Sequence, residues 1–250
     1  MAAKPQIVIK ANLEDVGREA AARFEQLAAQ SIPANGRFSV ALSGGSTPIA
    51  LYRLLAEPPF SRTIDWPHVH LFWGDERFVP ADHPESNYRL ARETLITRVP
   101  IPAENVHPMP TEGNDPEAAA ARYQETLRRS FVLSEGEAPR FDLVLLGLGA
   151  DGHTASLFPG SPVLSEDQRL VAATYVRKLD AWRLTLTPSV LNRARHVLFL
   201  VCGSDKALTL RQALQGPYDP QRLPAQLVRP PEGAVTWLVD EAAASLLQES

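Results

Sequence analysis

The sequence predicts an α/β fold built on a mostly parallel sheet. Short β-rich runs alternate with amphipathic helical patterns nearly from end to end, the signature of strand–helix–strand units. Four of the strands run straight into a glycine- or serine-rich turn or a helix start. The twenty-two prolines fall mainly in connections, so they leave the interiors of both element types intact. No internal repeat, low-complexity tract or long flexible linker intervenes, and residues 1–250 read as one domain.

Met1-Ala2-Ala3-Lys4-Pro5 leads into a first strand, Gln6 to Lys10. Asn12 has the chemistry of a helix N-cap, with Asp15 at the third helical position. Leu13, Val16, Ala20, Phe24 and Leu27 then recur at spacings of three and four, which gives that helix one apolar face; Pro33 to Gly36 ends it. Phe38 to Leu42 is the next strand, and Thr47 is expected to cap a helix with Pro48 at its first position. Val69 to Trp73 is a strand ending in the turn Gly74 to Pro80, and Ser86 caps a helix through about Leu95. Pro100 to Asn114 is irregular. Asp115-Pro116 opens a helix with Tyr123, Leu127 and Phe131 on one face, and Ser134 to Pro139 is a linker. Strands follow at Phe141 to Leu146, Leu170 to Tyr175, Trp182 to Leu186, His196 to Val201 and Ala234 to Val239. Thr187-Pro188 starts a short helix, Gly203-Ser204-Asp205 opens one with Lys206 in its first turn, and Glu241 to Gln248 closes the chain as a helix.

Composition narrows the function classes. The net charge is −4 with acids and bases interspersed, which argues against nucleic acid as a partner and leaves an anionic small molecule open. The one cysteine, Cys202, rules out a disulfide framework or a cysteine-based zinc site and reads as a small buried core residue. No stretch has the apolar core of a signal peptide or the length of a membrane span, so a cytoplasmic protein is expected.

In an open parallel sheet, ligands bind past the carboxyl ends of the strands. Ser43 to Thr47, Gly74 to Arg77, Gly147 to His153 and Gly203 to Lys206 share that address and can converge on one cleft. Ser43-Gly44-Gly45-Ser46-Thr47-Pro48 has the makings of an anion cradle: glycines expose backbone N–H groups, hydroxyls add donors, and the helix start supplies a positive dipole end. An ordinary strand-to-helix turn would look similar. It is not a Walker loop, and the chain has no Gly-x-Ser-x-Gly elbow. Lys206 at a helix start opposes the macrodipole, which a bound phosphate would compensate, although a solvated lysine is the plain alternative. Arg77 could serve an anion or simply pair with Asp75 and Glu76. Gly147-Leu148-Gly149-Ala150-Asp151-Gly152 formally matches a dinucleotide fingerprint, but Pro159, Gly160 and Pro162 cut short the helix that fingerprint needs. His153, at a strand's carboxyl end with a carboxylate two residues earlier, stands where a general base belongs. None of the six histidines falls in a metal-binding spacing, and His68 and His70 read as structural.

With these residues assembled, the chain resembles the 6-phosphogluconolactonase family. The carrying segments are Leu42 to Pro48, then Trp73 to Pro80 with Ser86-Asn87-Tyr88, then Gly147 to Pro159, in the family's order and approximate spacing. The resemblance implies a Rossmann-like sheet flanked by helices on both faces, shared with glucosamine-6-phosphate deaminases. It implies hydrolysis of 6-phospho-D-glucono-1,5-lactone, the second step of the oxidative pentose phosphate pathway, without metal or organic cofactor. Within it, Ser43, Gly44, Gly45, Ser46, Thr47 and Lys206 would hold the phosphate, and Arg77 would hold phosphate or developing charge. His153 would act as base, oriented by Asp151 or, failing that, by Asp75. Arg183, in Arg183-Leu184-Thr185-Leu186-Thr187-Pro188, matches a recurrent family segment and faces either substrate or solvent. Two other readings stay open. The sister deaminases continue the Asp-Gly-His turn through Phe-Asn-Glu-Pro, where this chain has Ser156-Leu157-Phe158-Pro159, and Phe158 cannot transfer protons. A non-catalytic sugar-phosphate sensor would need the anion loop but not His153.

Overall fold

A computed structural model describes residues 4–248. Met1 to Ala3, the head of the segment leading into the first strand, lie outside the described residues, as do Glu249 and Ser250.

β1 (Gln6–Lys10) leads into α1 (Leu13–Asn35). The Asn12 side chain accepts a hydrogen bond from the Asp15 N–H at 3.0 Å, as its position predicts. Pro33 lies inside α1 rather than ending it: so close to the terminus, its missing N–H costs the helix a single bond. The stop falls at Gly36, left-handed at φ 76°, whose N–H returns to the Ile32 carbonyl. β2 (Phe38–Leu42) then passes into α2 (Ser46–Leu55), α3 (Phe60–Thr63) and β3 (Val69–Trp73). The expected Thr47 cap is not made. Gly45 holds the cap position with φ 104°, so Ser46 starts the helix and Pro48 stands third. Glycine permits that turn.

Beyond Gly74, the segment expected as a plain turn forms a short strand, β4 (Asp75–Arg77). Ser86 caps α4 (Asn87–Thr94), and α5 (Pro116–Phe131) opens on Asp115 and Pro116 and buries Tyr123 and Leu127. β5 (Leu143–Leu146) ends in the glycine turn, and no α-helix follows it before β6 (Val171–Val176). β7 (Ala181–Leu186), α6 (Pro188–Leu191), β8 (His196–Val201), α7 (Ala207–Gln215), β9 (Ala234–Asp240) and α8 (Glu241–Ala244) complete the chain, α8 stopping short of the expected Gln248.

Six strands form one sheet in the order β1-β9-β8-β5-β2-β3, every adjacent pair parallel. All residues of β2 and β5 are buried, so helices and loops cover the sheet on both faces. β4, β7 and β6 form a separate antiparallel sheet of three strands, which the strand–helix alternation did not foretell. Only residues 177–180 join β6 to β7, too short a link for the crossover that a parallel pair needs. Gly74 belongs to both sheets: its N–H donates to the Leu42 carbonyl at 2.8 Å, and its carbonyl accepts from the Leu186 N–H at 2.8 Å.

At the amino-terminal ends of the strands, Asp142 ties β5 to β2. Its buried carboxylate accepts from the Ser39 N–H at 2.9 Å and the Ser39 hydroxyl at 2.7 Å, and Arg195 approaches it at 3.3 Å. Replacing Asp142 with Ala strands the Ser39 donors and is expected to cost about 2 kcal/mol in urea unfolding, with the pocket at the carboxyl ends of the strands unaffected.

Candidate active site

The carboxyl ends of β2, β3, β5 and β8 surround a pocket of about 260 Å³. It sits where the strand order reverses, since the chain moves outward from β2 to β3 and then returns to β5 on the other side. All four turns singled out in the sequence reach it: Ser43 to Thr47, Asp75 and Arg77, Gly147 to Gly149 with His153, and Lys206 line its wall, while Asp151 stands behind His153.

The Ser43–Thr47 loop is pinned from below by Tyr52, whose buried hydroxyl donates to the Ser43 carbonyl at 2.7 Å and accepts its N–H at 3.1 Å. Gly44 is required by packing: a Cβ there would lie 1.9 Å from Asn87 Oδ1. The Asn87 amide is oriented by donation to the Asp75 carbonyl at 2.9 Å, which leaves Oδ1 facing Gly44 without a donor. Asn87 itself stands at the first turn of α4, held by Glu76. The buried Glu76 carboxylate accepts the N–H groups of Asn87 (2.7 Å), Tyr88 (2.7 Å) and Arg77 (2.8 Å). Burial pushes the Glu76 carboxyl above its ordinary pKa, and these backbone donors pull the other way.

His153 Nδ1 meets Asp151 Oδ1 at 2.5 Å, so Asp151 and not Asp75 partners the imidazole. Gly149 allows this, because a Cβ there would sit 1.9 Å from Nδ1. The turn is closed by Gly149 N–H to the His153 carbonyl at 2.8 Å and by the Thr154 hydroxyl to the Gly147 carbonyl at 2.8 Å. Phe158 stacks on the His153 ring with centroids 4.3 Å apart and planes at 25°. Burial alone would raise the Asp151 pKa. Hydrogen bonds from His153 and from Lys178 outweigh it and hold the carboxyl well below the usual range.

Asp75 is buried on the pocket wall, and its Oδ2 accepts from the Ser156 hydroxyl at 2.7 Å. Arg77 makes no ion pair with Asp75 or Glu76 among the described residues; its guanidinium donates to the Glu85 carbonyl at 2.5 Å. Arg183 stands opposite Arg77 in the β4–β7 register, yet it does not line the pocket, nor does it face solvent: it is 9% exposed. Burial and the neighbouring Arg77 both lower its pKa. Lys206 closes a 3-10 turn (Ser204–Lys206) just ahead of α7 rather than standing in the first turn of the helix, and it pairs with Asp205 at 2.9 Å. Cys202, expected in the core, is half-buried and lines the pocket beside Thr47. Among the described residues no group of three or more His, Cys, Asp or Glu side chains could hold a metal, and no helix is long and apolar enough to cross a membrane.

Sequence reasoning missed Asn87, Ser156 and Phe158 as contact makers, although all three lie inside segments that it quoted. It missed Lys178 entirely, for nothing local signals that a residue 27 positions beyond Asp151 returns to it.

The fold and pocket define a doubly wound α/β protein with a serine- and glycine-rich loop and a His–Asp pair at the switch point. Residues 11–237 match the model of the family described as glucosamine-6-phosphate isomerases/6-phosphogluconolactonase, and the chain belongs to that family. It is 42% identical over 244 residues to the 6-phosphogluconolactonase of Synechocystis, covering 98% of this chain and 99% of that one. The solved 6-phosphogluconolactonase from Trypanosoma cruzi superposes with a TM-score of 0.88 at 33% identity, over 100% of this chain and 99% of that one. A monomeric glucosamine-6-phosphate deaminase shares the fold at a TM-score of 0.79 and 21% identity, over 96% of this chain and 99% of that one.

Burial and the nearby Asp240 charge push the Cys202 thiol up to about 12, so little thiolate exists near neutral pH. Iodoacetamide at pH 8 is expected to alkylate Cys202 at least about a hundredfold more slowly than a free thiol, with the ordinary rate restored in urea. Mass spectrometry of the time course measures both.

Proposed function

We propose that this chain hydrolyses 6-phospho-D-glucono-1,5-lactone to 6-phospho-D-gluconate, the second step of the oxidative pentose phosphate pathway, with His153 as general base. The observation that carries the reading is the 2.5 Å contact between His153 Nδ1 and Asp151 at the pocket wall. With Nδ1 engaged, Nε2 is the ring nitrogen left to take a proton. Nε2 deprotonates a water attacking the lactone C1. The tetrahedral intermediate collapses with cleavage of the bond to the ring oxygen, and the imidazolium returns its proton to that departing oxygen. Asp151 stabilises the imidazolium between the two transfers.

The Ser43 hydroxyl, the backbone N–H groups of Gly44 to Thr47 and the Lys206 ammonium hold the phosphate, which fixes C1 against the base. Arg77 serves the phosphate or the oxyanion that forms at C1. Asp75, with Ser156 on one oxygen, offers the other to a substrate hydroxyl. Arg183 adds positive potential behind Arg77. Phe158 places an apolar ring against His153 where proton transfer between sugar carbons would need an acid, which supports hydrolysis over deamination. The proposal treats residues 1–250 as one domain acting in the cytoplasm. One contiguous hydrophobic core supports the first. Compartment varies among relatives, since rice proteins it resembles are called chloroplastic.

A coupled assay tests the reaction: glucose-6-phosphate dehydrogenase makes the lactone in place and 6-phosphogluconate dehydrogenase reports the acid. The chain is expected to exceed the spontaneous opening rate, and His153→Ala to lose about 10²–10⁴-fold in kcat while product binding stays within a few-fold. An initial rate no faster than the spontaneous one rejects the activity. Lys206→Ala is expected to raise KM with little change in kcat, because it removes a contact made equally in ground and transition states. A fall in kcat at constant KM would reassign Lys206.

A further inference from the structure

The small antiparallel sheet ends in a turn that reaches back to the segment carrying His153. Residues 177–180 connect β6 to β7, and Lys178 lies in the 3-10 part of this turn (Arg177–Leu179). Its Nζ engages Asp151 Oδ2, the carboxylate oxygen that His153 does not use. The same ammonium lies 4.7 Å from the centroid of the Phe158 ring, which itself stacks on His153. Lys178 therefore touches both groups that contact the imidazole ring. The turn is braced in place. Asp180 adopts a left-handed φ of 47°, its N–H bonds the Arg177 carbonyl at 3.2 Å, and the Tyr175 hydroxyl contacts its carboxylate. Tyr175 and Trp182 pack across the hairpin with ring centroids 5.4 Å apart.

The Lys178 side chain is 51% exposed and that of Asp151 32%, a setting in which an ion pair adds little to folding stability. Its effect is geometric. A carboxylate held at one oxygen can rotate; one held at both oxygens presents a fixed plane to Nδ1. We propose that Lys178 is a positioning residue that clamps Asp151 from the second sheet and thereby fixes the ring of His153, a role that rests on the base assignment above.

The test uses the full chain with Lys178→Met, Lys178→Arg, Asp151→Asn and the double variant Asp151→Asn/Lys178→Met. Lys178→Met is expected to lower kcat about tenfold with KM within twofold and an unchanged urea midpoint. Lys178→Arg, which keeps the charge and the donors, should recover to within about threefold. In the Asp151→Asn background, Lys178→Met should add less than a further twofold, because the clamp has lost its target. Full kcat in Lys178→Met, a rise in KM alone, or multiplicative losses in the double variant would each overturn the proposal. Nitrogen-15 NMR of the His153 ring reads the arrangement without turnover. One tautomer, protonated at Nδ1, is expected in the unsubstituted chain and a mixture in Lys178→Met. An unchanged tautomer would overturn the role of Lys178, whereas a chain that fails to accelerate lactone opening would overturn the activity and leave the tautomer to decide the clamp.

Discussion

Parallel pairing of β2 with both β3 and β5 is the constraint from which the rest follows. Parallel neighbours cannot be joined by a tight turn, so the chain must leave the carboxyl end of each strand and cross back. It leaves β2 toward one side and β5 toward the other, and a crevice opens between the two departing turns. Residues that are far apart along the chain then face one another without any special contact to gather them. Burial of β2 and β5 on both faces fixes the height of those ends, because a strand covered on both sides cannot slip without exposing apolar side chains.

Close approach sets the finer geometry. At Gly44 and Gly149 there is no room for a methyl group, and in each case the space is filled by a polar side chain, Asn87 or His153. Asn87 is held in turn by Glu76 at the start of α4, where a buried anion meets backbone N–H groups and the positive end of the helix. The walls of the pocket are therefore supported by charge and hydrogen bonds as much as by apolar packing.

Much of this is legible in the residues alone. The strand positions, the Asn12, Ser86 and Asp115 caps and the shared address of the four turns all follow from local chemistry: periodicity, capping oxygens and glycine. The failures have a common cause. β4 is only three residues long and carries Asp75, Glu76 and Arg77, so no apolar alternation marks it as a strand. β6 and β7 look like strands, but their pairing direction depends on the short link after Val176, and that decides whether they join the large sheet. The Thr47 cap was lost to Gly45, whose positive φ starts the helix at Ser46, and the placement of Arg183 inside the protein depends on a strand pairing that the sequence does not announce. Lys178 was invisible for the same reason, because its neighbours are set by the hairpin and not by spacing.

The pocket draws on both sheets: the Ser43 loop and His153 hang from the large one, Asp75 and Arg77 from the small one. A cleft between two sheets could open and close by tilting one against the other. Here a single residue, Gly74, is bonded to Leu42 on one side and to Leu186 on the other, immediately before Asp75 on the pocket wall. Mechanically this is a weld rather than a hinge: rocking the sheets apart would break backbone hydrogen bonds in a buried place. Access for a substrate and escape of a product must then be controlled at the rim, by loop and side-chain motion over a rigid base.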